Sequence, residues 1–174
     1  MSPEERFAAF VRERHGFEPE RLVARPELDG GGFVGLTAVA PAPEPPVRGL
    51  VSDDEVLTSA VPGAFEAWLA AVDFAHSDAA DPVQLGQVHQ ALAEPSASPH
   101  PEATIPLLYP QQVESAPAAH LAEPVGPPRL VEDGCGRSVE LWVQCEPGSR
   151  FEHWTYRVAG DNTLTLDRRP ARER

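Results

Sequence analysis

A chain of 174 residues with 41% apolar and 7% aromatic side chains can close one sizeable core, so a single domain covering 1–174 is expected. Its net charge of −13, carried without any lysine, excludes nucleic acid and anionic membrane surfaces as natural partners, because both require a basic footprint. Two cysteines, Cys135 and Cys145, are too few for a disulfide framework, and no apolar run approaches the roughly 18 residues that span a bilayer.

The first predicted element is a helix. Ser2 is its N-cap, Pro3 occupies the first helical position and Glu5 completes a capping box. Phe7, Phe10 and Val11 mark its apolar face, and Gly16 stands where a left-handed C-terminal residue belongs. Leu22 to Leu28 and Phe33 to Ala40 read as two strands joined by a glycine-rich hairpin at Asp29-Gly30-Gly31-Gly32. After the proline-dense loop 41–46, Val47 to Val51 and Glu55 to Thr58 form a second hairpin around Ser52-Asp53-Asp54.

Two helices follow. Phe65, Trp68, Leu69 and Val72 recur at helical spacing behind Pro62-Gly63. Asp81, with Gln84 three residues on, caps a shorter helix that buries Leu85, Val88 and Leu92 before Pro95 stops it. Between residues 93 and 128 nine of 36 positions are proline and no period survives. This stretch is expected to be a loop or strap, with the island Thr104 to Pro110 lying extended across its own domain.

From residue 129 to 168 a three-strand meander is expected. A turn at Pro147-Gly148 sets Cys145 opposite Arg150, Val143 opposite Glu152, Leu141 opposite Trp154 and Val139 opposite Tyr156. A loop at Gly160-Asp161-Asn162 then pairs Val158 with Leu164 and Tyr156 with Leu166. One face collects the aliphatic residues, Trp154 and Tyr156 as a core wall. The other gathers Trp142, Phe151, His153, Gln144, Glu140, Thr155 and Arg157. A one-residue slip in either turn would exchange the faces. The basic tail 169–174 is expected to fray. The whole pattern is α+β, with both strand groups, about 22–58 and 129–168, in one antiparallel sheet packed by the N-terminal helix and the central helix pair.

Chemistry is sparse in this sequence. Gly30 to Gly35 satisfies the dinucleotide glycine pattern, but Leu36 to Val39 continue as a strand where a phosphate loop needs a helix, so no cofactor is expected. Asp53, Asp54 and Glu55 have the residue types of a cation or acid/base site, yet between two strands they are ordinary turn residues. Cys135, Cys145 and His153 lack zinc-ligand spacing, and the six scattered histidines stand in no nucleophile–base signature, so no metal and no catalytic residue is assigned.

The charge is uneven. Residues 1–26 are neutral, 134–174 carry +1, and 27–133 carry −14 with only Arg48 and Arg129 among the cations. The expectation is therefore a non-catalytic, acidic binding or accessory protein, immunity- or antitoxin-like in masking a basic protein partner. Trp142, Phe151, His153, Arg157 and Gln144 form its candidate contact face, and Asp53, Asp54 and Glu55 a candidate acidic contact. Alternatives are a small-molecule-binding or enzymatic domain with His153, Asp53 or Asp54 at a pocket mouth, and a structural subunit of a larger assembly or homo-oligomer. A bacterial, cytoplasmic chain fits the arginine-only composition and the acidic start, where a secretory leader would be basic.

Overall fold

The computed structural model describes residues 1–92, 104–134, 136–145 and 150–174. Among them are four helices and two antiparallel sheets, an α+β architecture. The chain forms two compact units, Met1–Asp73 with Gln87–Ala97 and Phe74–Gly86 with Ser98–Arg174.

In the first unit α1 (Pro3–His15) starts as its sequence dictates. The Ser2 side chain accepts from the Glu5 N–H, and the Glu5 carboxylate accepts from the Ser2 N–H at 2.8 Å. Gly16 closes the helix with φ of 76°, a conformation that costs a residue without Cβ little. The sheet has strand order β1 (Arg21–Ala24), β2 (Val34–Val39), β3 (Val47–Val51) and β4 (Val56–Thr58). Phe7 and Val11 of α1 pack with Leu36, Ala38, Val47 and Val51 in one cluster. The helix thus roofs one sheet face with two of the three apolar positions that its periodicity marked, while Phe10 is half-buried.

The β1–β2 connection differs from a tight hairpin. β1 ends at Ala24 because Pro26 opens a single 3₁₀ turn, Pro26–Leu28, and the glycines form only a short turn closed by Gly30 and Phe33. Asp29 then accepts from the Gly35 N–H at 2.7 Å, and the Arg25 N–H donates to the Gly35 carbonyl at 2.8 Å. Gly35 continues into β2, so one backbone bond and one to the Asp29 carboxylate hold it, and no helix start faces a phosphate.

α2 (Ala64–Ala71) buries Phe65, Trp68 and Leu69. In α3 (Pro82–Leu92) the Asp81 carboxylate accepts from the Val83 N–H at 2.8 Å, the cap expected of it. Phe65 meets His89 edge to face at 5.0 Å between ring centroids, so the two helices touch. The stop expected at Pro95 lies outside the described residues.

The second unit is built on β7 (Gly136–Cys145) and β8 (Arg150–Ala159), flanked by β9 (Leu164–Pro170) on one side. Two short strands share the other edge of β7: β5 (Thr104–Pro106) pairs with residues 143–145 and β6 (Arg129–Asp133) with residues 136–140. Each register read from the sequence is observed, Cys145 with Arg150, Val143 with Glu152, Leu141 with Trp154, Val139 with Tyr156, Val158 with Leu164 and Tyr156 with Leu166. The turn at Pro147-Gly148 itself lies outside the described residues. Val139, Leu141, Val143, Trp154, Tyr156 and Val158 are buried together, a core wall as alternation requires. Burial pushes the Tyr156 phenol far above its ordinary range, and the Arg168 guanidinium opposes this only in part.

Two corrections concern the second strand group. The groups 22–58 and 129–168 do not join in one layer: each closes its own sheet, and β5 from the proline-rich stretch enters the second one. Nor does the tail fray. Ala171 donates to the Phe151 carbonyl at 2.9 Å, Ala122 to Arg172 at 2.8 Å and Arg174 to His120 at 3.0 Å, so residues 171–174 run beside 120–122 as an added ladder. Paired backbone groups outweigh the entropy of a free end.

The β8–β9 turn is tied by its side chains. Asp161 accepts from the Thr163 hydroxyl at 2.6 Å and from its N–H at 3.0 Å, bonds that hold the Asp161 carboxyl below its ordinary value. A depressed carboxyl stabilises the turn at neutral pH and loses that contribution as pH falls through the lowered value. In an NMR titration the Asp161 midpoint is expected to move back up in Thr163→Ala. An unchanged midpoint would refute this role of the hydroxyl.

Candidate binding cleft on the outer face of the second sheet

The face of β7–β8 opposite the core wall is the one that collected Trp142 and Phe151 in the sequence. It is not open. Residues 107–125 leave β5, form the short helix α4 (Pro110–Ser115) and return across the sheet. Leu107 and Leu121 pack directly on Trp142 and Phe151, with Val113, Ala116, Ala118 and Val125 around them. The Leu107 N–H donates to the Trp142 carbonyl at 2.8 Å, which pins the start of this strap to the strand that it covers.

As a result Trp142 is 7% exposed and Phe151 1%. Of the expected contact residues these two are internal, Gln144 and His153 are half-buried, and Arg157 is exposed. Arg157 also stands apart: it pairs with Ser138 and Thr165, beside a smaller depression of about 150 Å³ lined by Asp133, Arg137 and Thr163. Asp53, Asp54 and Glu55 belong to the first unit, where Ser52 Oγ accepts from the Asp54 and Glu55 N–H groups. They are exposed turn residues.

Beyond Leu121, residues 122–128 lead from the strap into β6. This leaves a cleft of about 290 Å³, lined by Glu123, Pro124, Gly126, Pro127, Arg129, Glu140, Trp142 and His153. Its floor follows from strand register. Arg129 lies opposite Glu140, and Trp142 lies opposite His153 with the rings edge to face at 4.9 Å. His153 in turn faces Arg169, whose Nη2 approaches its Nδ1 at 3.4 Å. A guanidinium only donates, so as a hydrogen bond this contact has Nδ1 accepting and leaves the proton on Nε2.

Among the described residues neither Glu123 nor Glu140 is in an ion pair. The lining therefore offers two uncommitted carboxylates, a guanidinium, an imidazole and two proline rings. It is suited to charge recognition and to hydrogen bonding with a small group. No cluster of three or more His, Cys, Asp or Glu able to hold a metal occurs among the described residues.

Sequence reasoning found Trp142, Glu140 and His153 on one face but missed Glu123, Pro124, Gly126, Pro127 and Arg129 as their neighbours. No periodic signal could place 123–127, because the segment has neither helical nor strand repeat. Also missed was Arg137, nearly buried, which donates to the carbonyls of Phe74 and Ser77 and pairs with Glu132 at 2.8 Å. Cys145 is buried at the end of β7, and Cys135 lies outside the described residues. No helix among the described residues is long and apolar enough to cross a membrane. Comparison of this chain with protein-family models, with curated proteins and with solved structures found no match.

Proposed function

We propose that this chain is an acidic binding protein that acts by contact with a basic protein partner. One observation carries the reading: residues 27–133 hold a charge of −14, and several of those acids stand on the surface without compensation. Asp53, Asp54, Glu55 and Glu123 are all exposed, and among the described residues none of the four is in an ion pair. Such a field raises the encounter rate with cations and repels polyanions.

The test is capture of partners from the source cells, followed by titration of the purified partner over a salt series. The expected partner is basic, and its affinity should fall by about tenfold or more between low and physiological salt as the charges are screened. Recovery of no partner, or an affinity indifferent to salt, would overturn the reading.

A second reading, small-molecule binding, is favoured by the cleft itself. At about 290 Å³ it falls just below the roughly 300–1,000 Å³ usual for ligand pockets, which suits a single side chain better than a larger molecule.

A further inference from the structure

We propose that the cleft beside Trp142 and His153 is the seat of one arginine side chain of the basic partner. This deepens the reading above and rests on it. A space of about 290 Å³ holds one long side chain and little more. The charge is asymmetric, with Glu123 and Glu140 set against Arg129.

Guanidinium suits this lining better than ammonium. Its planar fork can bond both oxygens of a carboxylate, and its flat face can stack on an aromatic face. The methylene stem of the incoming residue would run along Pro124 and Pro127, which offer apolar walls without rotamer freedom of their own. Trp142 is 7% exposed, so little of its ring is available for a cation–π contact, and the carboxylates supply most of the attraction. Arg129, directly opposite Glu140 in the β6–β7 pair, opposes the incoming charge. Arg169, beside His153, does so from the far side. A guest therefore sits toward Glu123 and Glu140, and removal of Arg129 should improve its binding.

The probe is Nα-acetyl-arginine amide, titrated into the full chain while the indole N–H of Trp142 and the ring of His153 are followed by NMR. A saturable shift with an affinity of about millimolar is expected, as for any ligand of this size in an open site. Glu140→Gln should weaken it about threefold and Arg129→Gln should strengthen it by a similar factor, the usual size of a single exposed charge contact. The opposed signs guard against misfolding as the cause, because damage to the cleft would weaken both variants. Nα-acetyl-citrulline amide, of the same shape without charge, should produce no saturable shift.

Absence of a saturable shift at Trp142 and His153, equal response to citrulline, or tighter binding of Nα-acetyl-aspartate amide would each overturn the assignment. Failure of the broader reading looks different. A salt-sensitive basic partner whose affinity is unmoved by Glu140→Gln sinks the cleft alone, whereas no such partner sinks both.

Discussion

Replacing Phe151 with Ala is expected to cost about 3–5 kcal/mol of stability, the usual range for removing a fully buried aromatic ring. Phe151 is 1% exposed and lies in one cluster with Leu107, Leu121 and Trp142. The loss has two parts. The ring's transfer energy disappears, and the strap that covers it has over 116–125 no helix or strand of its own, only turn bonds and its pairing with residues 172–174, to close the cavity. Loosening should therefore be local as well as global. Denaturant unfolding reads the first effect, and faster amide exchange over residues 107–125 reads the second. The C-terminal ladder adds to it, because the Phe151 carbonyl receives the Ala171 N–H. A cost below about 1 kcal/mol, with exchange of the strap unchanged, would show that the strap does not depend on this contact.

The second large effect concerns Gly35. A Cβ at this position would meet the Arg25 carbonyl and would lie 2.6 Å from the Leu28 Cβ, closer than real Cβ atoms come. The first obstacle is backbone and cannot rotate away. Gly35→Ala is accordingly expected to cost about 1–3 kcal/mol, the range for overpacking a filled site, and more if the bond from the Gly35 N–H to Asp29 also breaks. Comparison with Asp29→Ala separates the two parts, since that variant loses the bond and keeps the space. A neutral Gly35→Ala would mean that the 3₁₀ turn at Pro26–Leu28 shifts freely, and the reading of this glycine as a packing residue would fail. The same observation explains why a stretch resembling a phosphate-binding pattern has another use: its last glycine admits the chain's own backbone.

The first effect arises where residues distant in sequence meet and the second within a ten-residue fold-back, and this difference marks how much was legible beforehand. The start of α1, the cap of α3 and the full register of β7, β8 and β9 follow from local rules. Ser2 and Glu5 satisfy each other within one turn, and Asp81 reaches only to Val83. Alternation in 139–143 and 154–158, broken only by Trp142, favours the pairing that buries Val139, Leu141, Val143 and Val158 on one side. In the candidate site, the opposition of Trp142 and His153 was legible for the same reason.

Three features escaped local reading. The closure of two sheets in place of one depends on which strand edges meet, and edge hydrogen bonds look alike in every sequence. The strap's path over Trp142 and Phe151 depends on β5 pairing at one end and residues 171–174 at the other, while its own proline-rich sequence has no period to declare a face. The cleft arises only where the strap leads into β6, so Glu123 and Arg129 join Glu140 and His153 by docking and not by spacing. Short-range hydrogen bonds and side-chain alternation are encoded within a few residues and can be read from the sequence. The meeting of an aperiodic segment with a distant sheet is selected by burial and backbone pairing across the chain, and only the folded structure decides it.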